Sequence, residues 1–305
     1  MHAFDELPSI LKQFPATFHK PDHFVAYACA MASELAYYHV PEWETDDKWK
    51  RAKRVPCLGY LRNRQLKIST SLQGIRTLGE NIQIDAFETQ TVIAIKIRIY
   101  GMTFIAFRGT AIAYDWMLNT RFKIESSLHS GFCSETRRIC GLLADADWPP
   151  NQPVLLCGHS LGGAIAATAT LLLPKRFNCV PQSTYIFGAP RFGNRMSTSS
   201  LERADGSVFH IRRKGDQIPN IPPRVIGYAD YPFEMDPYLR VAFEGQTRWD
   251  QDISNWYKFG KEKAQSHFME SYRSEVGLYA KAVYKDEALV PHAKITSKNL
   301  NSTDQ

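Results

Sequence analysis

Ser160 stands in the run Gly158-His159-Ser160-Leu161-Gly162. A serine hydroxyl is a weak nucleophile at neutral pH. It reacts when a histidine takes its proton and a carboxylate holds that histidine in the right tautomer. The G-x-S-x-G spacing suits such a serine. A tight turn from strand to helix exposes the serine oxygen on a strained backbone, and side chains at the two glycines would strike the strand and the helix. The flanks agree with this geometry. Pro153-Val154-Leu155-Leu156-Cys157 is a short apolar run of strand type, and Gly163 to Leu173 is small and helix-forming. The start of that helix also offers unpaired N–H groups to developing negative charge. The alternative is a purely structural turn, and the strand and helix on either side argue against it.

The base is sought downstream of the serine, with the acid between them. His159 comes too early, which leaves His210, His267 and His292. His210 lies inside the strand-like Ser207 to Arg212, ahead of the expected acid, and His292 lies in a polar tail. His267 opens the apolar part of a helix, and its position favours it. For the acid, Lys214-Gly215-Asp216-Gln217-Ile218-Pro219 places Asp216 just past a strand, on a turn made by glycine and stiffened by proline. Loops at strand C-terminal ends are where α/β enzymes put their chemistry. Asp230, Asp236, Asp250 and Asp252 compete from a less regular aromatic region.

An acyl-transfer serine also needs donors for the oxyanion. The N–H of Leu161, directly after the serine, is one. Phe107-Arg108-Gly109-Thr110 fits the second: a strand, a glycine turn, then Thr110, whose N–H and hydroxyl can both face the oxyanion. Arg108 is expected to be structural, paired with a carboxylate below the site.

These residues need a scaffold. Residues 24–38 repeat apolar positions at helical spacing and predict an amphipathic helix on the core. Thr91 to Tyr100 and Thr103 to Phe107 are β-branched and aromatic runs around Gly101-Met102, and predict an antiparallel hairpin. Further strands are expected at 183–187 and 208–213, and helices at 134–147 and 265–284. Strands alternating with helices after residue 150 imply a mostly parallel central sheet with helices on both faces. The cluster Lys48 to Arg54 reads as a solvated face, with contact to an anionic membrane as the alternative.

The chain has 305 residues, 44% hydrophobic and 22% charged, enough for one large α/β domain. That domain is expected over 1–289, followed by a polar tail at 290–305. Net charge is +6, too modest to mark a nucleic-acid binder. The cysteines at 29, 57, 133, 140, 157 and 179 form no C-x-x-C pair or metal-ligand spacing, so buried thiols in a reducing compartment are expected. The first eight residues are acidic and hold no uninterrupted apolar stretch. No secretory leader is expected there, and the expected location is cytoplasmic, with export by a signal-independent route as the alternative.

Six blocks together resemble the class 3 lipase family, of the filamentous-fungal triacylglycerol lipase type. They are FRGT at 107–110, LHSGF at 128–132, GHSLGG at 158–163, FGAPRFGN at 187–194, GDQIPNIPP at 215–223 and HFMESY at 267–272. They occur in the family's order, and the apolar helix at 24–38 resembles the family's N-terminal helix. The resemblance implies an α/β-hydrolase fold, Ser160, Asp216 and His267 as triad, and Thr110 and Leu161 as oxyanion donors. It also implies a short lid helix after the oxyanion loop. Ala111 to Asn119 fits, with Ile112, Trp116 and Met117 as its apolar side. The other reading of that segment is a fixed surface helix whose tryptophan is core packing.

The function expected from all this is a serine carboxylic-ester hydrolase of lipase type, without cofactor or metal. Its expected partners are a lipid or ester substrate and a transient lipid-interface contact. Alternatives are a phospholipase A-type enzyme on membrane lipids, a short-chain or feruloyl esterase and, from another class, a catalytically silent lipid-binding module. The sequence leaves the oligomeric state open.

Overall fold

A computed structural model describes residues 10, 21–38, 82–89, 91–99, 102–109, 123–145, 152–204, 207–240 and 266–287. Thr110, Ile112, Trp116, Met117, the cluster at 48–54, His292 and the tail at 290–305 lie outside them.

The described strands form a seven-stranded sheet and a small two-stranded one. β1 (Ile82–Glu88), β2 (Ile93–Ile99) and β3 (Met102–Phe107) pair antiparallel, so the predicted hairpin is present as β2–β3 with a further strand outside it. From β3 the sheet turns parallel through β6 (Val154–His159), β7 (Ser183–Phe187), β8 (Ser207–Ile211) and β9 (Glu234–Met235). β4 (Ile124–Glu125) and β5 (Leu128–His129) make the small ribbon. This is the α/β-hydrolase arrangement, a mostly parallel sheet with helices on both faces.

The central strands are buried on both sides, and their side chains alternate between two cores. Phe104, Ala106, Leu155, Cys157, Tyr185, Phe187, Phe209 and Ile211 face one core with α1 (His23–Leu35) and α5 (Met269–Glu287). Ile105, Phe107, Val154, Leu156, Ile186 and Val208 face the other with α2 (Ser130–Asp145) and α3 (Leu161–Phe177). α4 (Arg195–Glu202) follows β7. The five described cysteines are all buried free thiols.

Helix α2 starts at Ser130, four residues ahead of the predicted start. The His129 imidazole explains this: its Nδ1 accepts the N–H groups of Gly131 at 3.1 Å and Phe132 at 3.4 Å. It thus caps a helix start that local composition, with Gly131 in the first turn, does not advertise.

The turn between β6 and α3 explains the glycines around Ser160. A Cβ on Gly158 would run into the backbone of Gly162, and one on Gly162 into the Phe107 carbonyl of the neighbouring strand. The helix start, the strand end and β3 therefore approach closer than side chains would permit. Ser160 takes φ 57° and ψ −128°, a conformation that an L-residue holds only at a cost.

Candidate active site

Strands β3, β6, β7 and β8 all end on one side of the sheet, and the loops there carry the candidate residues. Ser160 follows β6 and is 1% exposed. Asp216 follows β8 and is 3% exposed. His267 lies in a short turn just ahead of α5, partly open to solvent. The structure brings these three together across 107 and 51 residues of chain. His267 Nε2 lies 2.9 Å from Ser160 Oγ, and His267 Nδ1 lies 2.8 Å from Asp216 Oδ2. Asp216 Oδ1 accepts the Ile218 N–H at 3.0 Å, and Oδ2 accepts the Tyr272 hydroxyl at 2.6 Å.

The electrostatics follow from these contacts. Burial alone would raise the Asp216 pKa. The His267 charge and the hydrogen bonds from His267, Tyr272 and Ile218 outweigh it and hold the carboxyl below its usual value. Asp216 is therefore an ionised partner for the imidazole. The Tyr272 phenol is pushed well up, by burial first and the Asp216 charge second, and stays a donor.

The segment bearing His267 is clamped to the end of β8. Arg213 donates to the Ser266 carbonyl at 2.6 Å, and its Nη2 meets Glu275 at 2.5 Å. The Arg213 N–H is received by the Tyr272 hydroxyl at 3.1 Å.

The competing residues are committed elsewhere. His210 is fully buried, accepts the Ala189 N–H on Nε2 at 3.1 Å and meets Glu234 through Nδ1 at 3.1 Å. Burial holds its pKa down even against the Glu234 carboxylate. Glu234 is brought down to about 2, because the contacts with His210 and Arg212 exceed its own burial. Asp230 pairs with Arg191 and Arg224, and Asp236 with Arg240. Asp250 and Asp252 lie outside the described residues.

Leu161 is the first residue of α3, among the N–H groups that a helix leaves unpaired. On the other side, the loop after β3 runs against the serine: a Cβ on Gly109 would lie 3.0 Å from Ser160 Cβ. Thr110 follows directly. Arg108 is buried, with its guanidinium carbon 6.0 Å from the centre of the Tyr37 ring.

Sequence reasoning passed over His159. Its imidazole is buried between Tyr37, whose hydroxyl lies 2.7 Å from Nδ1, and the His267 carbonyl, 2.6 Å from Nε2. Its place inside the G-x-S-x-G run was the available signal.

Residues 104–226 match the family model "Lipase (class 3)". A "Secreted mono- and diacylglycerol lipase 1" of Fusarium solani is 26% identical over 136 residues, 41% of this chain and 40% of the relative. "Secreted mono- and diacylglycerol lipase MDL2" of Malassezia globosa is 38% identical over 97 residues, 32% of this chain and 31% of the relative. "Phospholipase A(1) DAD1, chloroplastic" of Arabidopsis thaliana is 30% identical over 152 residues, 40% and 34% of the two chains. The chain thus matches well under two thirds of each relative's length. Among solved structures, a lipase from Rhizopus microsporus var. chinensis is 20% identical, with a TM-score of 0.48 over 70% of this chain and 72% of the other.

One expectation is corrected here. The cytoplasmic location, with its reducing environment for the thiols, is overturned by the fungal relatives, which are named as secreted. The acidic N-terminus and the absence of paired cysteine spacing were poor guides to compartment. The segment that carries the strand–serine–helix turn and the acid loop is thus similar to the class 3 lipase family.

Proposed function

We propose that this chain is a serine hydrolase that cleaves fatty-acyl esters of glycerolipids outside the cell. The observation that carries the reading is the hydrogen-bonded series Ser160–His267–Asp216, with an ionised, buried acid at its far end. Ser160 Oγ attacks the acyl carbonyl while His267 Nε2 takes its proton. Asp216 orients the imidazole and stabilises its positive charge. The oxyanion is held by the Leu161 N–H and by Thr110. His267 returns the proton to the leaving alcohol. Water, deprotonated in turn by His267, then cleaves the acyl-enzyme and frees the fatty acid. The lid reading of 111–119, with Ile112, Trp116 and Met117 as its apolar side, and its alternative of a fixed surface helix rest on the sequence pattern, since the segment lies outside the described residues. Residues 1–289 form the domain that carries this chemistry.

A second reading, a phospholipase A-type enzyme using the same site, is favoured by the likeness to the Arabidopsis phospholipase A(1). A fluorophosphonate that labels the wild type and spares Ser160→Ala tests the hydrolase assignment. Hydrolysis of di- and triacylglycerols against phosphatidylcholine then decides between the readings. A wild type that takes no label, or a labelled Ser160→Ala, overturns the assignment.

A further inference from the structure

We propose that Tyr37 and His159 form a positioning pair that holds the His267 backbone and the Gly109 loop in register with Ser160. The inference rests on the hydrolase reading and goes beyond it, because neither residue touches the reacting atoms.

The hydrogen bonds determine who donates. A carbonyl oxygen only accepts, so the proton in the 2.6 Å contact between His159 Nε2 and the His267 carbonyl sits on Nε2. His159 Nδ1 is then an acceptor, and the Tyr37 hydroxyl, 2.7 Å away, donates to it. The direction runs from Tyr37 through His159 to the backbone of His267. These residues are 122 and 108 positions apart, so the pair ties three separate segments together.

Tyr37 lies in the single helical turn Ala36–Tyr38 that ends α1. Its hydroxyl also occupies the space where a Cβ on Gly109 would go, directly against the loop after β3. One phenol therefore touches the oxyanion loop and the residue before the nucleophile. Through His159 it acts on the base.

The pair is suited to work beside a base that changes charge. The His159 and His267 rings lie 4.6 Å apart at 35°, close enough to feel each other's charge. Burial first, and the His267 charge second, keep the His159 pKa well below its ordinary value. His159 thus stays neutral when His267 gains a proton, and supports it without repelling it. A carboxylate or lysine at 159 could not do this, and an apolar residue would leave the His267 carbonyl without its donor.

The test uses the full chain as wild type, His159→Leu, His159→Gln and Tyr37→Phe. The readouts are kcat and KM on a p-nitrophenyl ester and the rate of fluorophosphonate labelling. Glutamine can accept through its oxygen and donate through its amide, so it can replace both imidazole contacts. His159→Leu is expected to lower kcat and labelling on the order of ten- to a hundredfold, with KM within about twofold, because the base is displaced rather than removed. His159→Gln is expected to recover most of that loss, and Tyr37→Phe to fall between wild type and His159→Leu. Folded His159→Leu with wild-type kcat, or His159→Gln as impaired as His159→Leu, overturns the proposal. If His159→Leu does not fold, Tyr37→Phe decides, and unchanged kcat there overturns it. A wild type that takes no label overturns the hydrolase reading together with this one. A labelled wild type with unaffected variants overturns this one alone.

Discussion

The Tyr272 hydroxyl donates to Asp216 Oδ2 at 2.6 Å, on the same oxygen that faces His267 Nδ1 at 2.8 Å. Asp216 thus has two donors on one oxygen and the Ile218 N–H on the other, all favouring its ionised form. Tyr272→Phe removes one of them. The carboxyl pKa then rises toward its ordinary value, so the part of the acid limb that Asp216 protonation sets moves to higher pH. Folding should weaken by roughly 1.5–3 kcal/mol, the scale of a hydrogen bond to a charged group. The kcat should fall on the order of tenfold, the equivalent of about 1.4 kcal/mol. Profiles of kcat against pH for both proteins check this, and coincident acid limbs would refute it.

Ser160 holds φ 57° without being glycine. Ser160→Ala keeps the backbone cost and removes the proposed nucleophile, and should lose about four or more orders of magnitude in kcat. Ser160→Gly removes the nucleophile and the cost together. It should be equally inactive, yet more stable than Ser160→Ala by about 1 kcal/mol. Urea unfolding midpoints of the two inactive variants give the comparison. Equal midpoints would mean that the turn stores no strain.

Local pattern was a good guide to elements with strong periodicity or punctuation. The apolar run at 154–157, the antiparallel pairing of β2 with β3 and the helix after Ser160 follow hydrophobicity and glycine, though Met102, expected between the two strands, opens β3. The structure likewise brings Asp216 and His267 to Ser160, as chain order and turn chemistry suggested. The strand Ile82–Glu88 was not legible. It is the outermost strand of the sheet, and Gln83, Asp85 and Glu88 interrupt its apolar run. The two-residue strands β4, β5 and β9 are too short for any period to show. The roles of Tyr37 and His159 were hidden for another reason. Their meaning lies in contacts more than 100 residues away, which no local window contains.

Among the described residues, three histidines are buried, and each should weaken folding in acid. His129, His159 and His210 all have pKa values lowered by burial, and His129 is brought down to about 4. The folded forms hold these rings neutral, while the unfolded chain takes up protons near pH 6.5. Between those values the unfolded state binds more protons, so stability falls as pH drops below 6.5. For His129 alone the loss between pH 6.5 and 4 is on the order of 3 kcal/mol. Glu234 and Asp216, with lowered pKa values, add a further loss below about pH 4.5. His129→Asn keeps an acceptor at the start of α2 and cannot titrate. Its unfolding free energy should therefore be flatter than wild type between pH 6.5 and 4. Parallel curves would show that His129 does not contribute.

Gly109 gives the sharpest test of the loop after β3. A Cβ there would overlap the Tyr37 hydroxyl, lie 2.6 Å from the His159 carbonyl and 3.0 Å from Ser160 Cβ. The Tyr37 hydroxyl is the end of a side chain and can give way only by loosening its bond to His159. The His159 carbonyl cannot, because it is backbone at the end of β6, in the centre of the sheet. In Gly109→Ala the loop itself must therefore retreat from Ser160 and take Thr110 with it. Overpacking of this kind costs about 1–3 kcal/mol of stability. The larger effect should be on rate. A displacement of about 1 Å in an oxyanion donor can lower kcat on the order of a hundredfold while KM barely changes. Adding Tyr37→Phe removes the hydroxyl obstacle and leaves the carbonyl in place, so the double variant should stay impaired. Full recovery in the double variant would mean that the tyrosine alone limits the space. Wild-type kcat in the single variant would mean that the loop's approach to Ser160 does not matter for catalysis.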